Sequence, residues 1–217
     1  MSAMPTISIN GSDHPLPQDP RVSLLDFLRE HLHLSGTKVG CNQGACGACT
    51  VLADGERILS CLALVVQYEG RAITSIEGLG ADGQLHPLQQ AFIEHDGFQC
   101  GYCTPGQICS AIGMAAELRR GVPSNVTGDL SATAIAASHD EVRERMSGNL
   151  CRCGAHNGII APINAQLAAA GQEAPGHRSP MPATRTPPTP YGAPRWPTPN
   201  TSAAAPPWHT SRAQPRG

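Results

Sequence analysis

The sequence predicts an α+β chain in three segments: a small mixed sheet crossed by one helix over residues 1–80, an all-helical segment over 81–170, and a proline-rich tail over 171–217. Three observations predict it. Apolar residues recur with period two in short stretches as far as Ile76, and the period changes to 3.6 from about Leu79. Periodicity stops at Gly171, beyond which lie 12 of the chain's 20 prolines and both tryptophans. That last composition is the signature of a disordered segment.

Each element follows from local chemistry. TISIN (6–10) alternates and ends at Asn10-Gly11, a strand and a hairpin turn, with a second short strand expected before Ser23. Ser23 followed by Asp26 reads as a helix start, with Leu25, Leu28 and Leu32 on one face and Gly36 closing the element. TVLADGERILSC reads as two strands joined at Asp54-Gly55, and RAITSI (71–76) as another. In the second segment, Pro87 opens a helix that Gly97 stops, with Leu88, Ala91 and Phe92 as its apolar face. Thr104, Pro105 and Gln107 spell a capping box for a helix to about Arg120, with Ile108, Ile112 and Ala115 inward. Residues 122–137 read as an exposed loop. Ser138 with Glu141 caps a third helix through Met146, and Ile159, Ile160, Ile163 and Leu167 mark a fourth, which Pro162 should bend or delay.

Composition limits the function classes. The 217 residues are 40% hydrophobic and 4% aromatic, so aliphatic side chains must fill the core. Residues 1–170 carry 10 basic and 16 acidic side chains, a net charge of -6 that argues against a nucleic-acid surface. No apolar run approaches a membrane span. The N-terminus MSAMPTISING shows neither an apolar leader core nor a twin arginine, so the expected location is cytoplasmic as written.

Nine cysteines carry the chemistry. In GCNQGACGACT (40–50), Cys41, Cys46 and Cys49 are separated by four and then two residues, the loop spacing of plant-type 2Fe-2S centres. Glycines at 40, 44 and 47 let the backbone wrap a small object closely, and Gly47 is a candidate for bringing amide N–H groups to cluster sulfurs. The Asp54-Gly55 hairpin would return Cys61 to the loop as a fourth ligand. A second four-thiolate set is Cys100 and Cys103 in QCGYCTPGQ with Cys151 and Cys153 in SGNLCRCG. Two short cysteine pairs also suit structural zinc, although a one-residue spacing is unusual for it. A secreted disulfide framework fits neither the missing leader nor the tight spacing. Cys109, inside a helix, reads as a packed apolar thiol. His156 is no Rieske ligand, since such centres use two histidines on one iron.

Taken together, CNQGACGACT, Cys61, QCGYCTPGQ and SGNLCRCG resemble, in this order, the small iron-sulfur subunit of the xanthine dehydrogenase and aldehyde oxidoreductase family of molybdenum hydroxylases. HPLQQAFIEHDGFQCGYC, the long loop between the halves of the second site, and VRERMSGN are most similar to the iron-sulfur subunit of the periplasmic aldehyde oxidoreductase. The resemblance covers about residues 4–168. It implies a β-grasp ferredoxin domain followed by a four-helix domain. Cys41, Cys46, Cys49 and Cys61 would hold an outer 2Fe-2S cluster near a flavin subunit. Cys100, Cys103, Cys151 and Cys153 would hold an inner one beside the molybdenum-pterin cofactor of a large subunit. Gln99 would contact the pterin, and Cys153 would be the ligand whose sulfur lies closest to it. The resemblance places substrate oxidation on the large subunit, with FAD on another partner and no substrate-activating acid or base on this chain. Because that relative carries an export leader, a periplasmic location is the alternative if a leader is missing here or carried by a partner. Two other readings stand beside this one: a free-standing two-cluster carrier and a zinc-stabilised interaction module.

Overall fold

The computed structural model describes residues 5–80 and 83–172. Gly171 and Gln172, expected to open the tail, still belong to the last helix. The rest of the expected disordered tail lies outside the described residues.

The N-terminal half is a five-stranded mixed sheet. Strands β1 (Thr6–Ile9) and β2 (Ser12–Pro15) form a hairpin through Asn10 and Gly11, both with positive φ (51° and 83°), the geometry that an Asn-Gly turn supplies. Strands β3 (Thr50–Ala53) and β4 (Glu56–Leu59) pair antiparallel in the same way through Asp54 and Gly55. Strand β5 (Ala72–Thr74) runs between them, parallel to β1 and antiparallel to β3, which gives the order β2-β1-β5-β3-β4.

One helical segment crosses this sheet. Helix α1 (Leu24–Asp26) is capped by the Ser23 hydroxyl, which accepts from the Asp26 N–H at 3.0 Å, and it continues as a π-helical turn over Phe27–His31. The element ends earlier than Gly36, because His33 turns the chain with φ 57°. Leu24, Phe27 and Leu28 enter the sheet's core with Ile7, Val51 and Ile73, while Leu32 is only partly buried. This is the β-grasp arrangement.

Four helices form the second half: α2 (Pro87–Glu94), α3 (Thr104–Arg119), α4 (His139–Met146) and α5 (His156–Gln172). Their core gathers Leu88, Phe92, Met114, Val142, Met146 and Ile159. Pro162 does not delay α5, which starts six residues before it. Its ring lies where a side chain on Gly97 would meet it at 3.2 Å.

Helix α3 departs most from expectation. Its inward stripe is Ile108, Ala111, Met114 and Leu118, with Ile112 and Ala115 only half-buried. The opposite face, Gly106, Cys109, Ser110 and Gly113, is buried too. The reason is that α3 packs on β3 and β4 as well as on its own bundle. A Cβ on Gly106 would come within 2.5 Å of the Gly47 carbonyl oxygen, and one on Gly113 within 2.8 Å of the Arg57 Cβ. Glycine at these two positions therefore lets the helix lie directly on the strands.

The predicted capping box at Thr104 does not form. Cys103 is the N-cap and makes no side-chain cap bond, the Thr104 hydroxyl is buried without a partner, and Gln107 turns its amide elsewhere.

Candidate iron-sulfur centres

All nine cysteines are described and none is in a disulfide. The first centre is built by the loop between the α1 segment and β3. Asn42, Gly44 and Gly47 have positive φ (52°, 80° and 71°), so the chain coils tightly and its N–H groups turn toward sulfur. The Ala45 and Gln43 N–H groups donate to Cys41 Sγ at 3.1 and 3.5 Å, and the Cys41 N–H donates to Cys46 Sγ at 3.4 Å. These donors, led by Gln43, lower the Cys41 thiol to about 7, against the opposing effect of burial. A thiol lowered in this way suits metal ligation, which takes the thiolate.

Cys49 and Cys61 complete the set. The register Thr50↔Leu59 brings the end of β4 back beside Cys49. Ser60 fixes the return, its N–H and hydroxyl donating to the Cys49 carbonyl at 3.3 and 2.8 Å. Burial, with the Cys61 thiol adjacent, pushes Cys49 up to about 11. Gly47 proves to be required by a neighbour more than by a sulfur. A Cβ there would meet the Asn149 side-chain nitrogen at 2.6 Å and the Gly148 carbonyl oxygen at 2.8 Å.

The second centre sits where α3 starts and where the α4–α5 connection passes it. The Tyr102 N–H donates to Cys100 Sγ at 3.5 Å and lowers that thiol. Burial, with the Cys151 thiol beside it, pushes Cys103 up to about 11. Cys153 lies against Cys100. Cys100 and Cys153 are exposed, whereas Cys103 and Cys151 are partly covered. Gln99, next to Cys100, is also exposed.

The thiols thus meet two by two: Cys41 with Cys46, Cys49 with Cys61, Cys100 with Cys153, and Cys103 with Cys151. Among the described residues, no three His, Cys, Asp or Glu side chains converge on one ion position. Thiols grouped in twos suit a 2Fe-2S cluster, in which each iron takes two protein ligands. The donor chemistry and the spacing of both sets fit that group. Cys109 is excluded from either set. It is 1% exposed and pushed up to about 12 by burial, the state of an inert packed thiol.

Four residues to which the sequence reading gave no role between the centres tie the two together. The Leu150 N–H donates to the Cys46 carbonyl at 2.9 Å. Asn149 Nδ2 lies 3.0 Å from the Gly47 carbonyl, 3.2 Å from Thr50 Oγ1 and 3.2 Å from the Gly106 carbonyl. Gln107 Nε2 donates to the Asn149 carbonyl at 2.7 Å. Tyr102 Oη donates to the Val39 carbonyl at 2.6 Å. Farther out, Arg57 on β4 reaches into the helical half and grips both Glu117 carboxylate oxygens at 2.7 and 2.8 Å. Its remaining nitrogen donates to Ser110 Oγ and the Arg145 carbonyl. The available signal was a polar residue in an otherwise apolar stretch, such as Gln107 one turn after Cys103, but which partner it would find depends on the fold.

Comparison with known proteins agrees with this geometry. Residues 7–66 match the model of the 2Fe-2S iron-sulfur cluster binding domain, and residues 75–164 match that of the [2Fe-2S] binding domain. The chain is 57% identical over 158 residues to the aldehyde oxidoreductase iron-sulfur-binding subunit PaoA of Escherichia coli, covering 73% of this chain and 69% of that one. It is 44% identical to the caffeine dehydrogenase subunit gamma of a Pseudomonas species, covering 73% of this chain and 87% of the relative. Among solved structures, quinoline 2-oxidoreductase from Pseudomonas putida 86 superposes with a TM-score of 0.65 at 41% identity, over 78% of this chain and 94% of that chain. The aldehyde oxidoreductase of Desulfovibrio desulfuricans gives the same TM-score at 35% identity, but there the match covers 78% of this chain and only 17% of the other. With both domain models matched in order and a relative this similar over most of its length, the chain belongs to the two-cluster iron-sulfur subunits of the xanthine dehydrogenase and aldehyde oxidoreductase family.

Proposed function

We propose that this chain is the electron-transfer subunit of a molybdenum- and flavin-containing aldehyde oxidoreductase, passing electrons from the molybdenum cofactor on a large partner subunit to FAD on another. When bound, the two 2Fe-2S clusters supply two one-electron iron couples. The chain's own residues do the rest. Cys41, Cys46, Cys49 and Cys61 hold the outer cluster, and Cys100, Cys103, Cys151 and Cys153 hold the inner one. The observation that carries the reading is the bond from the Leu150 N–H to the Cys46 carbonyl at 2.9 Å. It joins the residue before one ligand, Cys151, to another ligand, Cys46, of the opposite cluster.

Exposure supports the direction of the relay. Cys100, Cys153 and Gln99 open on the surface and suit the large subunit, with Gln99 offering both a donor and an acceptor to a pterin edge. Gly47 holds the outer loop against the second domain. Beside Cys61, Leu62 is 62% exposed and suits coverage by the flavin partner. Aldehyde as the substrate class rests on the similarity to the Escherichia coli subunit.

The test is co-expression with the large and flavin subunits, followed by assay of the purified complex against aldehydes and purines. Reduction of the cluster absorption by aldehydes, and not by purines, is expected. A chain that purifies fully loaded and never associates with a molybdenum subunit would instead be a free-standing carrier.

A further inference from the structure

We infer that the Tyr102 hydroxyl, reaching out of the inner-cluster loop, fixes the amide that donates to a sulfur of the outer cluster and so helps to set that cluster's reduction potential; this rests on the two-cluster reading above. Tyr102 lies between Cys100 and Cys103, and its backbone N–H donates to Cys100 Sγ at 3.5 Å. Its hydroxyl leaves that loop and donates to the Val39 carbonyl, 63 positions earlier, at 2.6 Å. One residue therefore touches both ligand loops.

What Val39 leads into gives this bond its consequence. Val39 and Gly40 form the stem by which the chain enters Cys41. Gly40 lies so close to the next ligand that a Cβ on it would stand 2.6 Å from Cys46 Sγ. The N–H that follows, that of Cys41, donates to Cys46 Sγ at 3.4 Å. Glycine is the one joint between the peptide that carries the Val39 carbonyl and the peptide that carries this donor, and a glycine joint turns freely unless something outside it holds the chain. Upstream, Arg29 Nη1 holds the Thr37 carbonyl at 2.8 Å, and the Lys38 N–H donates to the Ala48 carbonyl at 3.4 Å. Among the described residues, the Tyr102 hydroxyl is the last hold on the stem before the donor, and it is the one that comes from the second domain.

The consequence is electrostatic. Hydrogen bonds to the sulfurs are among the factors that set an iron-sulfur potential. Reduction adds negative charge to the cluster, so an N–H donor stabilises the reduced state more than the oxidised one and raises the potential. Tyr102 is a positioning residue in this sense, acting through Val39 and Gly40 on the donor to Cys46. Its ring is 49% exposed, so water can take over part of what the phenol supplies, and the effect of losing the hydroxyl is modest. Its own backbone donor to Cys100 is untouched by any change of side chain, which leaves the inner cluster as an internal reference.

The experiment is a redox titration of the iron-loaded chain followed by electron paramagnetic resonance, with the two signals assigned by their loss in separate ligand variants, one from each set. Tyr102→Phe removes the hydroxyl and keeps the ring. The outer midpoint should become more negative, with the ratio of reduced to oxidised outer cluster at fixed potential falling about threefold, which is about 28 mV for a one-electron couple. The inner midpoint should stay where it is. Tyr102→Ala removes the ring as well and should shift the outer midpoint by the same amount, whatever it does to thermal stability. An outer midpoint that is unmoved in Tyr102→Phe, that moves no more than the inner one, or that moves only in Tyr102→Ala, with both clusters retained, would overturn the inference and leave the hydroxyl a tether without redox effect. A wild-type chain without two 2Fe-2S signals would instead overturn the reading beneath it.

Discussion

Leu150 and Cys46 are joined by one hydrogen bond, N–H to carbonyl at 2.9 Å, across two domains and 104 positions of sequence. Asn149, one residue earlier, adds side-chain contacts to the same loop at Gly47 and Thr50. The two thiolate sets are therefore tied to one another by contacts within the chain. Removing Asn149 should separate ligation from coupling. Asn149→Ala should leave both clusters bound but weaken the magnetic interaction between them, and it should destabilise the chain by about 1 to 3 kcal/mol, the usual cost of orphaning buried acceptors. Thermal unfolding and the line shape of the reduced clusters check it.

The ligand sets lie in different domains, so each cluster should be lost independently. Cys49→Ser should abolish or greatly weaken one paramagnetic signal and leave the other. Simultaneous loss of both from a chain that still folds would contradict the two-site assignment.

Gln99 is exposed next to Cys100. Under the proposed assembly, Gln99→Ala should keep both clusters and lower molybdenum retention, or slow reduction of the inner cluster by substrate, on the order of tenfold, the worth of about 1 to 1.5 kcal/mol of hydrogen bonding. Stopped-flow reduction of the complex, together with metal analysis, measures it. Unchanged rate and full molybdenum would remove Gln99 from the interface.

The loop 122–137 is pinned to α4 by a buried carboxylate. Glu141, 4% exposed, accepts from Ser124 Oγ at 2.8 Å and Arg145 Nε at 3.0 Å, and Thr127 also donates to it. Burial alone would raise its pKa, but the donors Thr127, Ser124 and Arg145 outweigh burial and hold it below 4.5. A carboxylate depressed in the folded state stabilises the fold fully above its unfolded value, and that contribution is lost as pH falls through the folded value. Wild type should therefore lose stability relative to Glu141→Gln only below about pH 4.5. Melting temperatures of the two chains from pH 7 to pH 3 test the sign.

Much of this molecule was legible in its sequence because local rules governed it. Asn10-Gly11 and Asp54-Gly55 dictated their hairpins, Ser23 and Ser138 their caps, and the cysteine spacings their loops. The misreadings around α3 and β4 share one cause, which is packing between the two domains. Thr104 and Gln107 spell a capping box, yet Gln107 is drawn to Asn149. Helix α3 looked one-faced at Ile108 and Ile112, yet β3 and β4 bury its other side. Arg57 could have been any exposed strand arginine until Glu117, 60 residues away, was found in its grip. Long-range partners of polar groups leave no period in a sequence.

The central claim is that one chain holds two 2Fe-2S clusters close enough to pass electrons between them. Iron and acid-labile sulfide analysis combined with electron paramagnetic resonance of the reduced 217-residue chain tests it most directly. The account predicts about four iron and four sulfide per chain and two distinct signals that split one another by mutual coupling. A zinc-loaded chain, or a single uncoupled signal from half that iron, would contradict it.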